Sequence, residues 1–308
     1  MTRPAPTSID EYLQALRAAL AGADPALVQD ALYDAEEHLR AEAAGTPGKS
    51  EAELLEHIAR TYGSPEEVAA AYRETEGKVA AALQPPAPRR TQQPNLVSRF
   101  FAVYSDPRAY VSLFFMVLSL VTGTLYFTFA VTGLSLSLGL AILIIGLPVF
   151  LGFVGITRAI SLGEGRLLEA VSGERMPRRP VHPGAPKTLV ARMLEMLKDA
   201  RTWSTIVYML VMLPLGIVYF TVAVTGFSLG VSLVLAPVVR MGQHLGWFLP
   251  WANGESILFD PAWIDTPFGW FVCVIVGVGI LTTLLHLARG LVGVHARAAK
   301  ALLVAQGA

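Results

Sequence analysis

Tyr126–Leu140 reads YFTFAVTGLSLSLGL and Tyr219–Leu233 reads YFTVAVTGFSLGVSL. The match extends without a gap over Asp106–Leu140 and Asp199–Leu233, at a constant offset of 93 with 15 of 35 positions identical. Each copy opens on an acid and an arginine (Asp106 and Arg108, Asp199 and Arg201) and then enters a long uncharged apolar run. A same-direction tandem repeat starts both copies on one side of a bilayer, so two repeated membrane hairpins are expected.

The rest of the composition agrees with a membrane reading. The chain has 308 residues, 53% hydrophobic and only 16% charged, outside ordinary soluble usage. No Asp, Glu, Lys or Arg occurs in Ala109–Thr157, Thr202–Val239 or Thr266–Ala288. About 20 apolar residues cross a bilayer, so the first run holds two crossings and the others one each. The expected fold is all-α: a small soluble N-terminal helical bundle, then a polytopic membrane domain with four transmembrane helices in two tandem repeated hairpins.

A formal net charge of zero conceals a division. Residues 1–76 hold 15 acids against 6 Lys or Arg, a balance of −9, and the remainder carries +9. Cys273 is the single cysteine, which excludes an intramolecular disulfide, a redox pair and a cysteine metal cage. The start does not read as a signal peptide, since the first apolar run of membrane length begins after residue 108.

Residues 8–76 predict four short helices. Ser8 and Glu11 make a capping box before Ile9, Tyr12, Leu13, Leu16 and Leu20 at helical spacing, and Gly22 ends that helix. Asp24-Pro25 restarts the chain with an N-cap acid and a first-turn proline, ahead of Val28, Leu32, Ala35 and Leu39. The opposite side of this second helix carries Asp30, Asp34, Glu37 and Arg40. Ser50 and Glu53 cap a third helix that Gly63 stops, and Ser64-Pro65-Glu66-Glu67 begins a fourth. Residues 77–100 read as a Pro-rich linker and juxtamembrane segment. Across their C-terminal end, Leu96–Tyr104 reads either as a helix lying along the lipid interface or as an extension of the first transmembrane helix.

The membrane domain is expected over 101–305, with repeats at about 106–172 and 199–305. The first hairpin is expected to turn near Thr132-Gly133-Leu134-Ser135. The loop 158–201 holds nine Lys or Arg and reads as cytoplasmic, which places both termini inside. The second hairpin is expected to leave the membrane near Val224. An extracytoplasmic loop at about 226–266 would then carry Arg240, Gln243, His244, Glu255, Asp260 and Asp265 among Trp247, Trp251 and Trp263. Two readings of that loop are open, a recognition surface and a passive interfacial loop.

No catalytic, cofactor or metal constellation emerges. His38 and His57 lie on the acidic bundle, His182 in the basic loop, and His244, His286 and His295 near expected membrane boundaries, where polar tips reach water. There is no Gly-rich phosphate loop. Gly152 and Gly155, and Ser119 and Gly123, have the spacing of close helix packing. Charge is missing from the expected span interiors, which disfavours an ion or proton carrier.

Tyr62-Gly63-Ser64-Pro65-Glu66-Glu67-Val68-Ala69, with Tyr33-Asp34-Ala35-Glu36-Glu37-His38-Leu39 upstream, resembles the HAAS domain, an all-helical bacterial signalling module. The part from about 100 to 305 resembles the sensor domain of actinobacterial and related membrane proteins that often precedes a histidine kinase. Thr202-Trp203, Leu213-Pro214-Leu215-Gly216 and the Tyr-Phe-Thr segments carry that likeness. No kinase module is expected among these 308 residues. The resemblance implies a non-enzymatic sensor in the cytoplasmic membrane whose bundle docks a PadR-like helix-turn-helix regulator. The expected partner-binding acids are Asp30, Asp34, Glu37, Glu66 and Glu67, read as exposed. The bilayer is the second partner, and self-association stays open. Direct nucleic-acid binding is not expected of an acidic head, because phosphates repel it. The alternatives are a subunit of a transporter for lipid or other apolar substrates, and a membrane scaffold.

Overall fold

The computed structural model describes residues 6–45, 53, 55, 57–58, 61–83, 96–143, 145–179, 189–246 and 266–304. Regular structure among them is helical throughout: α1 (Ile9–Ala19), α2 (Pro25–Gly45), α3 (Pro65–Leu83), α4 (Leu96–Phe101), α5 (Pro107–Gly139), α6 (Gly146–Ser172), α7 (Leu189–Lys198), α8 (Ala200–His244) and α9 (Pro267–Leu303). Two compact units result. One comprises residues 1–91, 132–208 and 297–308, the other 92–131 and 209–296.

In the first unit, α1 begins where Ser8 Oγ accepts the Glu11 N–H at 3.2 Å. Glu11 reaches back one residue further than a simple capping box, accepting from the Thr7 N–H and hydroxyl, each at 2.8 Å. Asp24 Oδ1 caps α2 by accepting the Ala26 N–H at 2.8 Å. Ser64 and Glu67 complete a reciprocal box at the start of α3, at 2.8 and 3.3 Å. Ser50, the expected cap upstream, lies outside the described residues. Gly63 has φ +107, which a side chain would strain, and its carbonyl accepts the Tyr12 hydroxyl at 2.9 Å. Tyr12, Leu16, Leu20, Leu39 and Ile58 are fully buried in the bundle core. Each such burial contributes about 1.5–3 kcal/mol. α3 runs to Leu83, past the boundary expected at 76.

Four helical segments are long and apolar enough to cross a membrane: Pro107–Ile142, Gly146–Ser172, Ala200–Gly242 and Pro267–Leu303. The chain is a multi-pass membrane protein. Three boundaries differ from expectation. α5 continues through Thr132-Gly133-Leu134-Ser135, and the turn lies beyond it, at a 3₁₀ turn over Leu140–Ile142. α6 continues past Thr157 to Ser172, so the first part of the expected 158–201 loop is helix. α8 passes Val224 and both Pro214 and Pro237 to reach His244. In lipid an unpaired backbone N–H or C=O has no water to bind, so turn-forming residues stay helical where in water they would break the chain. Residues 247–265, with their three tryptophans and three acids, lie outside the described residues.

In the second unit, positions 93 residues apart in the sequence meet at a close helix crossing. A Cβ on Gly123 would lie 2.4 Å from the Met212 carbonyl oxygen, and one on Gly216 would lie 2.3 Å from that of Ser119. Gly123 and Gly216 are 93 apart, as are Ser119 and Met212. The α5–α8 crossing is therefore reciprocal between equivalent residues. By contrast, Gly152 and Gly155, expected at a close crossing, have nothing within 4 Å of an added Cβ.

α4 is not an extension of α5. A 3₁₀ turn, Ala102–Ser105, and an extended Asp106 separate them. Asp106 Oδ1 then caps α5 on the Arg108 N–H at 2.9 Å, and Tyr110 donates to the Tyr104 carbonyl at 3.0 Å. In the first unit Asp199 Oδ1 takes the Arg201 N–H at 3.0 Å, and Trp203 donates to the Leu197 carbonyl at 2.8 Å. All four positions again differ by 93. The likeness in fact begins earlier than Asp106, since Leu96-Val97-Ser98-Arg99 matches Leu189-Val190-Ala191-Arg192 and places α4 and α7 in register.

Candidate functional site

The densest polar constellation among the described residues lies in the first unit, where α2 meets the segment following α6. α6 ends at Gly173, whose φ of +76 is left-handed and whose N–H bonds the Glu169 carbonyl at 2.9 Å. Residues 174–179 continue as a non-helical strap in which Met176 and Pro177 are buried. Met176 packs on Gly165 of α6, where an added Cβ would lie 3.3 Å from the methionine Cβ.

α2 reads the main chain of this strap. Asp30 Oδ1 accepts the N–H groups of Arg178 and Arg179, both at 2.9 Å. Gln29 Nε2 donates to the Arg179 carbonyl at 2.6 Å, and its Oε1 accepts from Arg201 at 3.3 Å. The side chains add charge. Arg175 pairs with Asp30 at 3.4 Å and also with Glu76. Arg179 Nε lies 3.0 Å from Asp34 Oδ1, and its guanidinium sits 5.5 Å from the Tyr33 ring centroid. Arg178 turns the other way, to Glu169 at 2.8 Å, a contact that holds its guanidinium above the ordinary arginine range.

Asp30 was expected on an exposed face, and this is corrected: it is 6% exposed. Two main-chain N–H groups and a guanidinium take the place of the water lost on burial, and such charge-assisted bonds contribute about 1.5–3 kcal/mol each. Asp34 is partly buried and accepts the Tyr72 hydroxyl at 3.1 Å. Burial, and next the Asp34 charge, raise the Tyr72 phenol above its ordinary value. Glu37 and Glu66 are exposed, and Glu67, also exposed, serves the α3 capping box. The five acids expected to act together thus divide into two that hold the strap, one helix cap and two on the open surface.

Two buried polar pairs escaped the sequence reading. Glu164, 2% exposed on α6, accepts the Tyr208 hydroxyl at 2.8 Å in the first unit. In the second unit His295 is 4% exposed, not reaching water as expected, with its ring centroid 5.6 Å from that of Phe115 and 5.7 Å from that of Tyr219. His38 stacks on Tyr62 at 4.4 Å, and Cys273 is buried and free. Among the described residues no group of three or more His, Cys, Asp or Glu is placed to hold a metal ion.

The Sensor family, described as "Putative sensor", matches residues 115–303, more than half of the chain. The chain belongs to the Sensor family. Its N-terminal part, residues 11–71, matches the HAAS family, so the protein is a HAAS domain fused to a Sensor domain. No curated protein and no solved structure matches the chain. In these terms the strap is a piece of the Sensor domain seated on a helix of the HAAS domain. The signal that could have located it is the sequence Arg175-Met176-Pro177-Arg178-Arg179 itself, which begins two residues after Gly173. Counting its arginines only as a topology signal hid their individual partners.

Proposed function

We propose that this protein is a non-enzymatic bacterial membrane regulator, in which the Sensor domain responds to an envelope signal and the HAAS domain docks a cytoplasmic PadR-like helix-turn-helix regulator. It resides in the cytoplasmic membrane with both termini inside. The nine basic residues of 158–201 favour that orientation. The observation that carries the reading is the clamp between α2 and the strap. The strap continues directly from a membrane helix, so a shift of α6 acts on Asp30 and Asp34 without crossing a flexible tether. An acidic HAAS domain then presents a surface suited to a basic protein partner rather than to DNA.

The test is affinity capture from native membranes with the full chain and with a chain lacking residues 1–76, read by mass spectrometry. Retention of a helix-turn-helix regulator by the full chain alone is the expected result. Recovery of identical proteins by both, with no such regulator, would remove the docking role.

A further inference from the structure

We propose that Gln29, Asp30, Asp34 and Glu76 form a recognition site for a non-helical peptide with arginines four residues apart. The chain's own Arg175–Arg179 occupies it, and a basic segment of the docked regulator takes its place. The identity of the incoming partner rests on the docking reading above, but the site itself does not.

The contacts have the pattern of peptide recognition. Three hydrogen bonds address main chain alone: the two N–H groups on Asp30 and the carbonyl on Gln29. Such bonds fix register and accept any residue type. Selectivity comes from two side chains, Arg175 between Asp30 and Glu76, and Arg179 between Asp34 and the Tyr33 ring. A guanidinium suits both places because it pairs with a carboxylate and lies on an aromatic face at once. Arg178 directs its guanidinium to Glu169 of α6 at 2.8 Å.

The same geometry makes the strap exchangeable. Arg179 keeps 50% of its side chain exposed, so its pair with Asp34 is open to water and to salt. Covalent continuity with α6 adds to these contacts by raising the strap's effective concentration to roughly the millimolar range for a short connection. A free peptide of the same sequence competes poorly against that, until a shift in α6 or loss of the strap's arginines vacates the site. Docking and sensing then meet at a single surface, where the regulator enters as the strap departs.

The test uses the full chain in nanodiscs of uncharged lipid and a fluorescein-labelled peptide of sequence GERMPRR, followed by anisotropy. The wild type is expected to bind it weakly. R175A/R179A, which removes both side-chain anchors of the strap and leaves it only its main-chain bonds, is expected to bind about tenfold more tightly. Adding D30N to that background is expected to return binding to the wild-type level. Peptides with alanine in place of the first or last arginine lose binding, and one with alanine in place of the middle arginine does not.

R179E is a milder variant at a half-exposed position, expected to shift affinity in the same direction with unchanged circular dichroism. If neither variant gains affinity, or if the gain survives D30N, the site is overturned. Because this assay contains no regulator, it judges the site independently of docking. Regulator capture is expected to rise in R175A/R179A. Unchanged capture with normal peptide binding would overturn the regulator as the incoming ligand.

Discussion

Lys300 Nζ lies 2.6 Å from Asp24 Oδ2, tying the end of α9 to the cap of α2. The other oxygen of the same carboxylate caps α2 on the Ala26 N–H. One side chain therefore does two separable jobs. D24N retains the capping oxygen and loses the charge, whereas D24A loses both. The cap is worth about 1 kcal/mol. The pair, with side chains 19% and 33% exposed, adds at most about 1 kcal/mol after solvent screening. Hydrogen exchange of the first-turn amides of α2 in the full chain should rank D24A fastest, then D24N and K300A together, then wild type. Equal exchange in D24N and D24A would show that the cap contributes nothing.

At the α5–α8 crossing, the space at each glycine decides the outcome. G123A and G216A place a methyl within 2.4 Å of a carbonyl oxygen on the opposing helix, which must move as backbone. Overpacking of this kind costs about 1–3 kcal/mol and is expected to lower Tm in detergent. G152A and G155A meet nothing within 4 Å. They should be neutral or raise Tm slightly, since alanine is favoured over glycine in a helix by roughly 0.5–1 kcal/mol. Scanning fluorimetry of the four variants checks the contrast, and a fall in all four would mean the crossing is not what selects glycine.

The helical punctuation of the HAAS domain was legible because each signal is local: Ser8, Asp24 and Ser64 cap, and Gly63 stops. Membrane crossing was legible from charge-free length alone. The ends of the membrane helices were not, because Thr132-Gly133 and Pro237 break helices in water but not where the backbone has no alternative partner. Burial of Asp30 was illegible for another reason. Its partners Arg175, Arg178 and Arg179 stand some 145 to 149 residues away, and no helical periodicity marks an acid that will be desolvated by a distant strap. The same holds for His295, whose position among Arg and Ala near a helix end read as wet.

Alkaline pH should loosen the bundle. The Tyr12 and Tyr72 phenols are both raised above their ordinary value of 10, by burial first and then by nearby carboxylates or phenols. A raised pKa means that the folded state holds the proton more firmly than the unfolded state. Stability is therefore complete below pH 10 and falls as pH climbs above it, where unfolded phenols ionise and folded ones do not. Y72F removes one such group together with its bond to Asp34. It should cost about 1 kcal/mol at neutral pH and flatten the loss of Tm above pH 10. A wild-type Tm that holds steady through this range would contradict the assignment.

Gly173 sets where α6 stops and the strap begins. Its φ of +76 admits glycine freely, asparagine with modest strain and β-branched residues poorly. G173N should leave the strap seated, G173A should loosen it at a cost of about 1–2 kcal/mol, and G173V should release it. Release exposes the Arg175–Met176 and Arg178–Arg179 peptide bonds to trypsin, whereas the seated strap buries Met176 and holds both arginine N–H groups on Asp30. Timed proteolysis of the full chain, with fragments identified by mass, should therefore rank cleavage after Arg175 and Arg178 as valine, alanine, asparagine, then wild type. D30N, which weakens the anchor and leaves the helix stop intact, should speed the same two cuts. If G173V left both bonds as resistant as in the wild type, the strap would be held by something other than the end of α6.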